Sequence, residues 1–170
     1  KRKGNNALNF VANFGADSTS PGSGTVNYLG SYRFEIKYSE PAGVKVGANQ
    51  PSALMAMNRA IEMISNLKTP YDLDKKAERT TYTVGVGSCT PAPEGERSKE
   101  CTLLVDMRSP TPGPLKDIRS KIEPAFAKAL QQENAKYGLK DGDAKAVKME
   151  LVWFGDRPAH KRKNYDDPAM

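Results

Sequence analysis

The chain has 170 residues, of which 38% are hydrophobic, and its 26 basic and 20 acidic side chains give a formal net charge of +6. This length fits one domain with a proper core, and no apolar run approaches the roughly 20 residues of a membrane helix, so we expect no membrane partner. The excess charge comes entirely from two KRK clusters, residues 1–3 and 161–163. Basic clusters near the ends are more typical of solvated tails than of a phosphate-binding face, so we also expect no nucleic-acid partner.

The first regular elements after a leading segment, residues 1–24, are a strand and a helix. The stretch TVNYLGSYRFEIKYS, residues 25–39, alternates between apolar and polar side chains, which is typical of a strand with one buried face. Residues 51–67 predict an amphipathic helix with Pro51 in its first turn, because apolar side chains recur at helical spacing. Its expected buried stripe consists of Leu54, Met57, Ile61 and Ile64.

The next two elements are predicted to pair as a hairpin. They are RTTYTVGVGS, residues 79–88, and ECTLLVDMRS, residues 100–109. Alternation places one set of side chains from each strand on the buried face. These are Tyr82, Val84 and Val86 on the first strand and Cys101, Leu103, Val105 and Met107 on the second.

The two cysteines do not fit the simplest pairing of that hairpin. In an antiparallel pair, the residue numbers of opposed residues add up to a constant sum. The buried residues have even numbers on the first strand and odd numbers on the second, so the two buried faces lie on the same side of the sheet only when that sum is odd. The sum for Cys89 and Cys101 is even, so a disulfide requires a one-residue slip or a β-bulge, for which Gly85 and Gly87 provide room. The disulfide, and with it the redox compartment, stays open.

A second helix and a final strand complete the pattern. Residues 110–138 carry a helical stripe that ends at Gly138, and Pro124 within it is expected to kink or split the helix. Residues 146–155 form the last predicted strand, before an exit tail at 156–170. The order β-α-β-β-α-β predicts an α+β fold of the ferredoxin-like type, a four-stranded antiparallel sheet with both helices on one face. In that fold the second and fourth strands lie at the edges of the sheet.

The sequence carries no self-contained catalytic motif. Its one histidine, His160, lies in the polar tail without a partner at metal-ligand spacing. Asp106 and Arg108 are expected to form a surface pair, and the other carboxylates lie mainly on helix faces and turns. We therefore expect no catalytic residue and no bound cofactor in this chain. The loop YSEPAGVKVGANQPS, residues 38–52, contains Glu40 as its only carboxylate.

Several stretches, taken in order, resemble one protein family. They are GSYRFEIKYSEPAG, MNRAIEMISNL, RTTYTVGVGS with CTLLVDMRSP, and the exit FGDRPAH. Together they resemble the lid, or dimerisation, domain of the dinuclear zinc exopeptidases, metallopeptidase family twenty, which includes aminoacylases, dipeptidases and glutamate carboxypeptidases. The resemblance covers nearly the whole chain, and it implies a hydrolase that uses zinc-activated water to cleave an amide or peptide bond.

The resemblance also assigns positions in this chain. The family's loop histidine, which stabilises the tetrahedral intermediate across the dimer, falls on Gly43 or Val44, and the family's hairpin asparagine falls near Gly95. Neither functional side chain is present here. Asp17 matches the place of a zinc-binding carboxylate, whereas the family's His-x-Asp and Glu-Glu ligands are not in this sequence. The resemblance thus implies a lid domain, residues 25–155, cut from the catalytic domain that holds the zinc.

Self-association is the further expectation. The strand at residues 79–88 has no charge or proline from Thr80 to Ser88, so its edge is open to a second strand. The family's lid domains dimerise through this edge and the first helix, which implies a homodimer here. The expected interface consists of Thr80, Tyr82, Val84, Val86, Met55 and Met63. The alternative function is a free-standing ferredoxin-like module that binds RNA or a small regulatory ligand.

Overall fold

The computed structural model describes residues 29–67 and 80–159. Within them the order of elements is β-α-β-β-α-β, as predicted. The elements are β1 (Gly30–Ser39), α1 (Ala53–Ser65), β2 (Thr81–Cys89), β3 (Glu100–Ser109), α2 (Pro112–Ala135) and β4 (Lys148–Arg157). Neither described helix is long and apolar enough to cross a membrane.

The four described strands form one sheet in the order β2-β3-β1-β4. All three neighbouring pairs are antiparallel. The prediction of an α+β fold built on an antiparallel sheet is therefore confirmed. Within the described part of the chain, β2 and β4 are the edge strands, which agrees with the sequence-based expectation.

A single core lies between the sheet and the two helices. Alternate residues of β1 and β3 are fully buried, and so are the inward faces of α1 and α2. Both helices therefore pack on the same face of the sheet. The Tyr38 hydroxyl donates a hydrogen bond to the Phe126 carbonyl, 3.2 Å away. Burial raises the pKa of Tyr38, which keeps this hydroxyl protonated. The central members of the core are Phe34, Ile36, Tyr38, Leu103, Val105, Ile122 and Phe126.

The buried stripe of α1 differs from the predicted one. Leu54, expected in the core, is 43% exposed, and Ile61 is only partly buried. Small side chains take the central positions, because alanine allows the helix backbone to approach its neighbours closely. The buried residues are Ala53, Ala56, Met57, Ala60 and Ile64.

The second helix is not split at Pro124, which corrects one of the two outcomes expected there, and the expected kink stays a prediction. Helix α2 runs from Pro112 to Ala135 with Pro124 inside it. Proline removes one backbone hydrogen bond, which disfavours a helix interior. Here residues on both sides of it, Ile122 and Phe126, are buried in the same core. Packing of both halves against one sheet thus outweighs the lost hydrogen bond.

The β2–β3 pair contains the bulge that the cysteines require. Val84 lies opposite Val105, whereas Cys89 lies opposite Cys101, and the register shifts between Val84 and Val86. Gly85 is the extra residue. Cys89 and Cys101 are joined by a disulfide, with their Cα atoms 4.0 Å apart. The sequence left this pairing open, and the structure settles it in favour of the bulged ladder.

The two ends of the described fold lie side by side. A Cβ atom built on Gly30 would lie 2.7 Å from the backbone nitrogen of Ala159, so only glycine fits this close approach. The start of β1 and the second residue after β4 are therefore in contact. Residues 1–28, which include the whole leading segment, and residues 160–170, which make up most of the exit tail, lie outside the described residues.

Candidate functional site at the β1–α1 and β2–β3 loops

Two loops meet at one end of the sheet: the β1–α1 loop (residues 40–52) and the β2–β3 loop (residues 90–99). The Arg97 backbone N–H donates to the Val44 carbonyl, and the Val46 N–H donates to the Gly95 carbonyl, both over 2.9 Å. The structure thereby brings together the positions that the family resemblance singled out in the two loops.

A buried ion pair fastens the β1–α1 loop to the β2–β3 loop. The Arg97 guanidinium lies 2.5 Å from the Glu40 carboxylate, and the two side chains are 19% and 1% exposed. Arg97 also donates to the carbonyls of Gln50, at 3.2 Å, and Pro51, at 2.8 Å. We call this group the Glu40–Arg97 clamp. Because it ties the first residue of the β1–α1 loop to its last residues, it holds both ends of that loop in place.

An exposed ion pair lies beside the Glu40–Arg97 clamp. The Lys45 ammonium is 2.7 Å from the Glu96 carboxylate, and the Lys45 side chain is 68% exposed. The same two residues form an isolated antiparallel bridge between the loops. At this exposure the pair contributes little to stability. The backbone bridge and the clamp therefore carry most of the contact between the loops.

A second buried carboxylate supports the β1–α1 loop from α2. Glu133 is fully buried. It accepts hydrogen bonds from the Ser52 backbone N–H, at 3.2 Å, and from Arg59 Nε, at 2.9 Å. Glu40 accepts a long bond from the Ala53 N–H, at 3.5 Å. Since the Ser52 side chain makes no capping bond, these carboxylates satisfy the first donors of α1 and complement its positive end.

The predicted family positions in the loops carry no acid–base group. Gly43 adopts a φ of +75°, a left-handed conformation that favours glycine. The Val44 side chain is buried. Gly95 also has a positive φ, of +75°. At the position of the family's histidine, the β1–α1 loop therefore provides backbone and apolar surface, and it places no side chain there that could donate or accept a proton.

A shallow groove of about 430 Å³ lies between the two loops. Its charged lining comes from both loops and from the start of β3, and it mixes positive and negative groups. The lining residues are Ala42, Gly43, Thr90, Pro91, Ala92, Pro93, Glu96, Arg97, Lys99 and Glu100. Two of these, Glu96 and Arg97, already have partners in the ion pairs described above.

Metal ligands do not cluster in the described part of the chain. Across residues 29–67 and 80–159 there is no group of three or more His, Cys, Asp or Glu side chains that could hold a metal ion. Asp17, the carboxylate that the resemblance placed near zinc, lies outside these residues. Its role stays a prediction, and so does the zinc of the parent enzyme.

The residues predicted for the dimer interface on β2 turn largely toward their own domain. The Thr80 side chain is buried, and its hydroxyl lies 2.8 Å from the Ser109 hydroxyl. The Tyr82 hydroxyl donates to carbonyls at the end of α1, including that of Ile64. Val84 packs against the core. Val86 lies opposite Leu104 in the ladder. What β2 offers a partner is therefore its backbone edge.

The residues predicted for the interface on α1 divide into two classes. Met55 is exposed, whereas Met63 packs against the core. Leu54, which the sequence placed in the core, is exposed next to Met55. The exposed apolar surface of α1 thus lies at Leu54 and Met55.

The Glu40–Arg97 clamp was not predicted from the sequence. In the sequence, Glu40 is distinguished only as the sole carboxylate of its loop, and Arg97 lies 57 residues further on, within a polar hairpin loop. The nearest signal is a carboxylate at the end of a buried strand, since a carboxylate in such a place needs a cation. The predicted surface pair is present: Arg108 Nε lies 2.9 Å from Asp106. Arg33 adds a second contact to Asp106, at 2.8 Å.

No family model matches the sequence, and no curated protein matches it. Solved structures share the fold. An aminobenzoyl-glutamate utilization protein from Klebsiella pneumoniae has a TM-score of 0.55 and 18% identity, over 78% of this chain and 30% of its own. A putative amidohydrolase/peptidase from Burkholderia cenocepacia has a TM-score of 0.56 and 15% identity, over 78% of this chain and 29% of its own. A hydantoinase/carbamoylase family amidase from Burkholderia ambifaria has a TM-score of 0.56 and 12% identity, over 79% of this chain and 29% of its own. This chain spans less than a third of the length of these structures.

Proposed function

We propose that this chain is the lid, or dimerisation, domain of a zinc-dependent peptidase or amidohydrolase, and that it performs no catalysis alone. The observation that carries the proposal is the partial match. More than three quarters of this chain matches less than a third of a protein named as a putative amidohydrolase/peptidase and of one named as an amidase. We also infer that the strand order β2-β3-β1-β4 is that of a ferredoxin-like domain.

The adjoining ends of the fold support an inserted domain. A lid that leaves and returns to one catalytic domain needs its two connections close together. Gly30 and Ala159 are in contact, which fits this requirement. The leading segment and the exit tail would then run toward the same hinge. The catalytic domain would supply the zinc ligands, together with Asp17 if the resemblance holds for that residue.

The paired loops suit the wall of a substrate cleft. The Glu40–Arg97 clamp fixes the β1–α1 loop against the β2–β3 loop, and the backbone hydrogen bonds between the loops add to it. A loop held in this way gives a defined surface without an ordering cost on binding. With glycine and valine at the histidine position, its contribution to the parent enzyme would be shape, and stabilisation of the tetrahedral intermediate would need another donor.

The surface beside β2 supports a homodimer. Arg59 reaches α2 through Glu133, so the side of α1 that bears Arg59 faces α2. Leu54 and Ile61 lie on the opposite flank of α1 by helical geometry, toward β2. This flank is apolar and partly exposed, and it adjoins a strand edge with no partner in the described sheet. A two-fold axis at this edge would pair β2 with β2 and α1 with α1.

The alternative, an RNA-binding module, finds less support on the sheet. Such modules stack bases on aromatic side chains of the two central strands. The outward positions of β1 and β3 carry no aromatic residue, and they include the ion pairs of Asp106 with Arg33 and Arg108. The outward residues are Ser31, Arg33, Glu35, Lys37, Ser39, Glu100, Thr102, Leu104, Asp106 and Arg108.

Light scattering at micromolar concentration tests the dimer. We expect a dimer that Leu54→Glu converts to a monomer, because the new charge would lie at the centre of the interface. Phe154→Glu is the matched control: it replaces another exposed apolar residue, 54% exposed, on the opposite edge strand, and should leave the dimer intact. A wild-type monomer, or equal effects of both variants, would contradict the proposed interface.

An activity assay and the parent gene test the enzymatic part. The purified chain should release no amino acids from dipeptides or N-acyl amino acids in the presence of zinc. A chelator-sensitive activity would contradict the proposal. In the parent gene, His-x-Asp and Glu-Glu segments should flank this region, and their absence would favour the free-standing module.

A further inference from the structure

The β2–β3 ladder contains two registers. Near the start of β2, Tyr82 lies opposite Met107. Beyond the bulge, Gly87 lies opposite Leu103 and Cys89 lies opposite Cys101. We call the observed pairing of the second half the bulged register. Continuing the first register without a bulge would shift every later pair by one residue, and we call that pairing the continuous register.

Side-chain packing favours the continuous register. It would place Val86 opposite Leu103, so a β-branched residue would face a core leucine and no residue would be left out of the ladder. In the bulged register Leu103 faces Gly87 instead. A Cβ atom at Gly87 would lie 3.2 Å from Leu103 Cδ2, so a side chain at this position would require the leucine to shift by a few tenths of an ångström. The bulge also leaves Gly85 unpaired.

Only the disulfide requires the bulged register. In the continuous register Cys101 would lie opposite Ser88, and Cys89 would lie opposite Glu100 on the other face of the sheet. The two sulfur atoms could not then join. Because β2 is an edge strand of the described sheet, a slip of its second half would break only its pairing with β3 within one protomer.

We propose that the Cys89–Cys101 disulfide is a redox-sensitive register lock, and that its reduction lets β2 slip by one residue into the continuous register. A dithiol reductant supplies the reaction. Its two thiols give up two electrons and two protons and close into a disulfide, while Cys89 and Cys101 each gain one hydrogen. The slip moves the β2 end of the β2–β3 loop by about 3.3 Å, the rise of one strand residue. The Glu40–Arg97 clamp holds the other end of that loop.

Cross-strand NMR contacts distinguish the two registers. The short Cα separation of Cys89 and Cys101 marks a non-hydrogen-bonded pair, in which opposed Hα atoms are close. The oxidised protein should therefore show an Hα–Hα contact between Gly87 and Leu103. After reduction with dithiothreitol, this contact should disappear and one between Val86 and Leu103 should appear. Persistence of the Gly87–Leu103 contact, or loss of every β2–β3 contact, would overturn the proposal.

Two variants separate a register change from general loosening. Deletion of Gly85 removes the extra residue, so the cysteines would face each other in a ladder without a bulge. Reduction should then leave the contact between Gly87 and Leu103 unchanged. Gly87→Ala adds a Cβ that would press against Leu103 only in the bulged register. It should lower the melting temperature of the oxidised protein more than that of the reduced protein, and equal losses in both states would contradict the lock.

Discussion

Removal of the arginine from the Glu40–Arg97 clamp gives the sharpest test of the structure. In Arg97→Met the Glu40 carboxylate, 1% exposed, would keep only the long hydrogen bond from the Ala53 N–H. Breaking a buried ion pair by removing one partner costs about 3–5 kcal/mol, because the other charge stays buried without compensation. Arg97 is 19% exposed, so water can partly replace it. We therefore expect a loss near the lower limit, about 3 kcal/mol.

Urea denaturation measures this loss, with the midpoint shift read at constant slope. For a domain of this size, about 3 kcal/mol corresponds to a fall of about 10 °C in the melting temperature. A double-mutant cycle with Glu40→Gln isolates the coupling between the two side chains. We expect most of the loss to disappear when both partners are replaced, since glutamine carries no charge to be stranded.

The neighbouring pair of Lys45 and Glu96 provides a matched control. It joins the same two loops at a similar distance, but Lys45 is 68% exposed. Lys45→Met should cost about 0–1 kcal/mol, as exposed ion pairs do. If Arg97→Met lowers the free energy of unfolding no more than Lys45→Met does, burial does not make the Glu40–Arg97 ion pair stronger than the exposed pair, and the expected loss of about 3 kcal/mol is refuted.

Two further predictions concern α2 and the outer face of the sheet. Pro124→Ala should raise stability by about 1–3 kcal/mol, because it restores a helix hydrogen bond and removes a ring clash, and a melting temperature that stays the same or falls would contradict this. Partial burial alone would raise the pKa of Asp106, but hydrogen bonds and charges from Arg108 and Arg33 lower it below the ordinary 3.8. The stabilisation is therefore present above about pH 4 and lost as the pH falls through the lowered pKa. Asp106→Asn should accordingly cost about 0.5–1 kcal/mol at pH 7 and progressively less as the pH falls through the lowered pKa, and a cost that does not change with pH would refute the assignment.

Periodicity predicted the order of elements because buried and exposed faces leave a direct pattern in the sequence. The alternation of Phe34, Ile36 and Tyr38 marks a strand over one core, and the structure buries all three. Hydrophobicity alone did not place α1 correctly. It selected Leu54, whereas close packing selected the alanines, because the space between helix and sheet favours small side chains there.

Long-range features were harder to predict. The Glu40–Arg97 clamp joins residues 57 positions apart, and nothing local distinguishes Arg97 from other basic residues in loops. The disulfide shows a middle case. Parity arithmetic identified the bulge as its condition, but the choice between two registers depends on a covalent bond that alternation does not encode. At Pro124 a local preference was misleading. Proline disfavours a helix interior, but the helix continues through it because the residues on both sides pack in the core.

The contact between Gly30 and Ala159 has a mechanical consequence. Gly30 is the first residue of β1 and Ala159 lies two residues beyond the end of β4, and these two strands are adjacent and antiparallel. Tension applied through the two connections would act at one end of this strand pair, across its hydrogen bonds. The bonds would then break one after another, beginning with the pair nearest the connections, and the force needed would be that of a single bond. We therefore expect the domain to resist heat far better than it resists a pull on its ends.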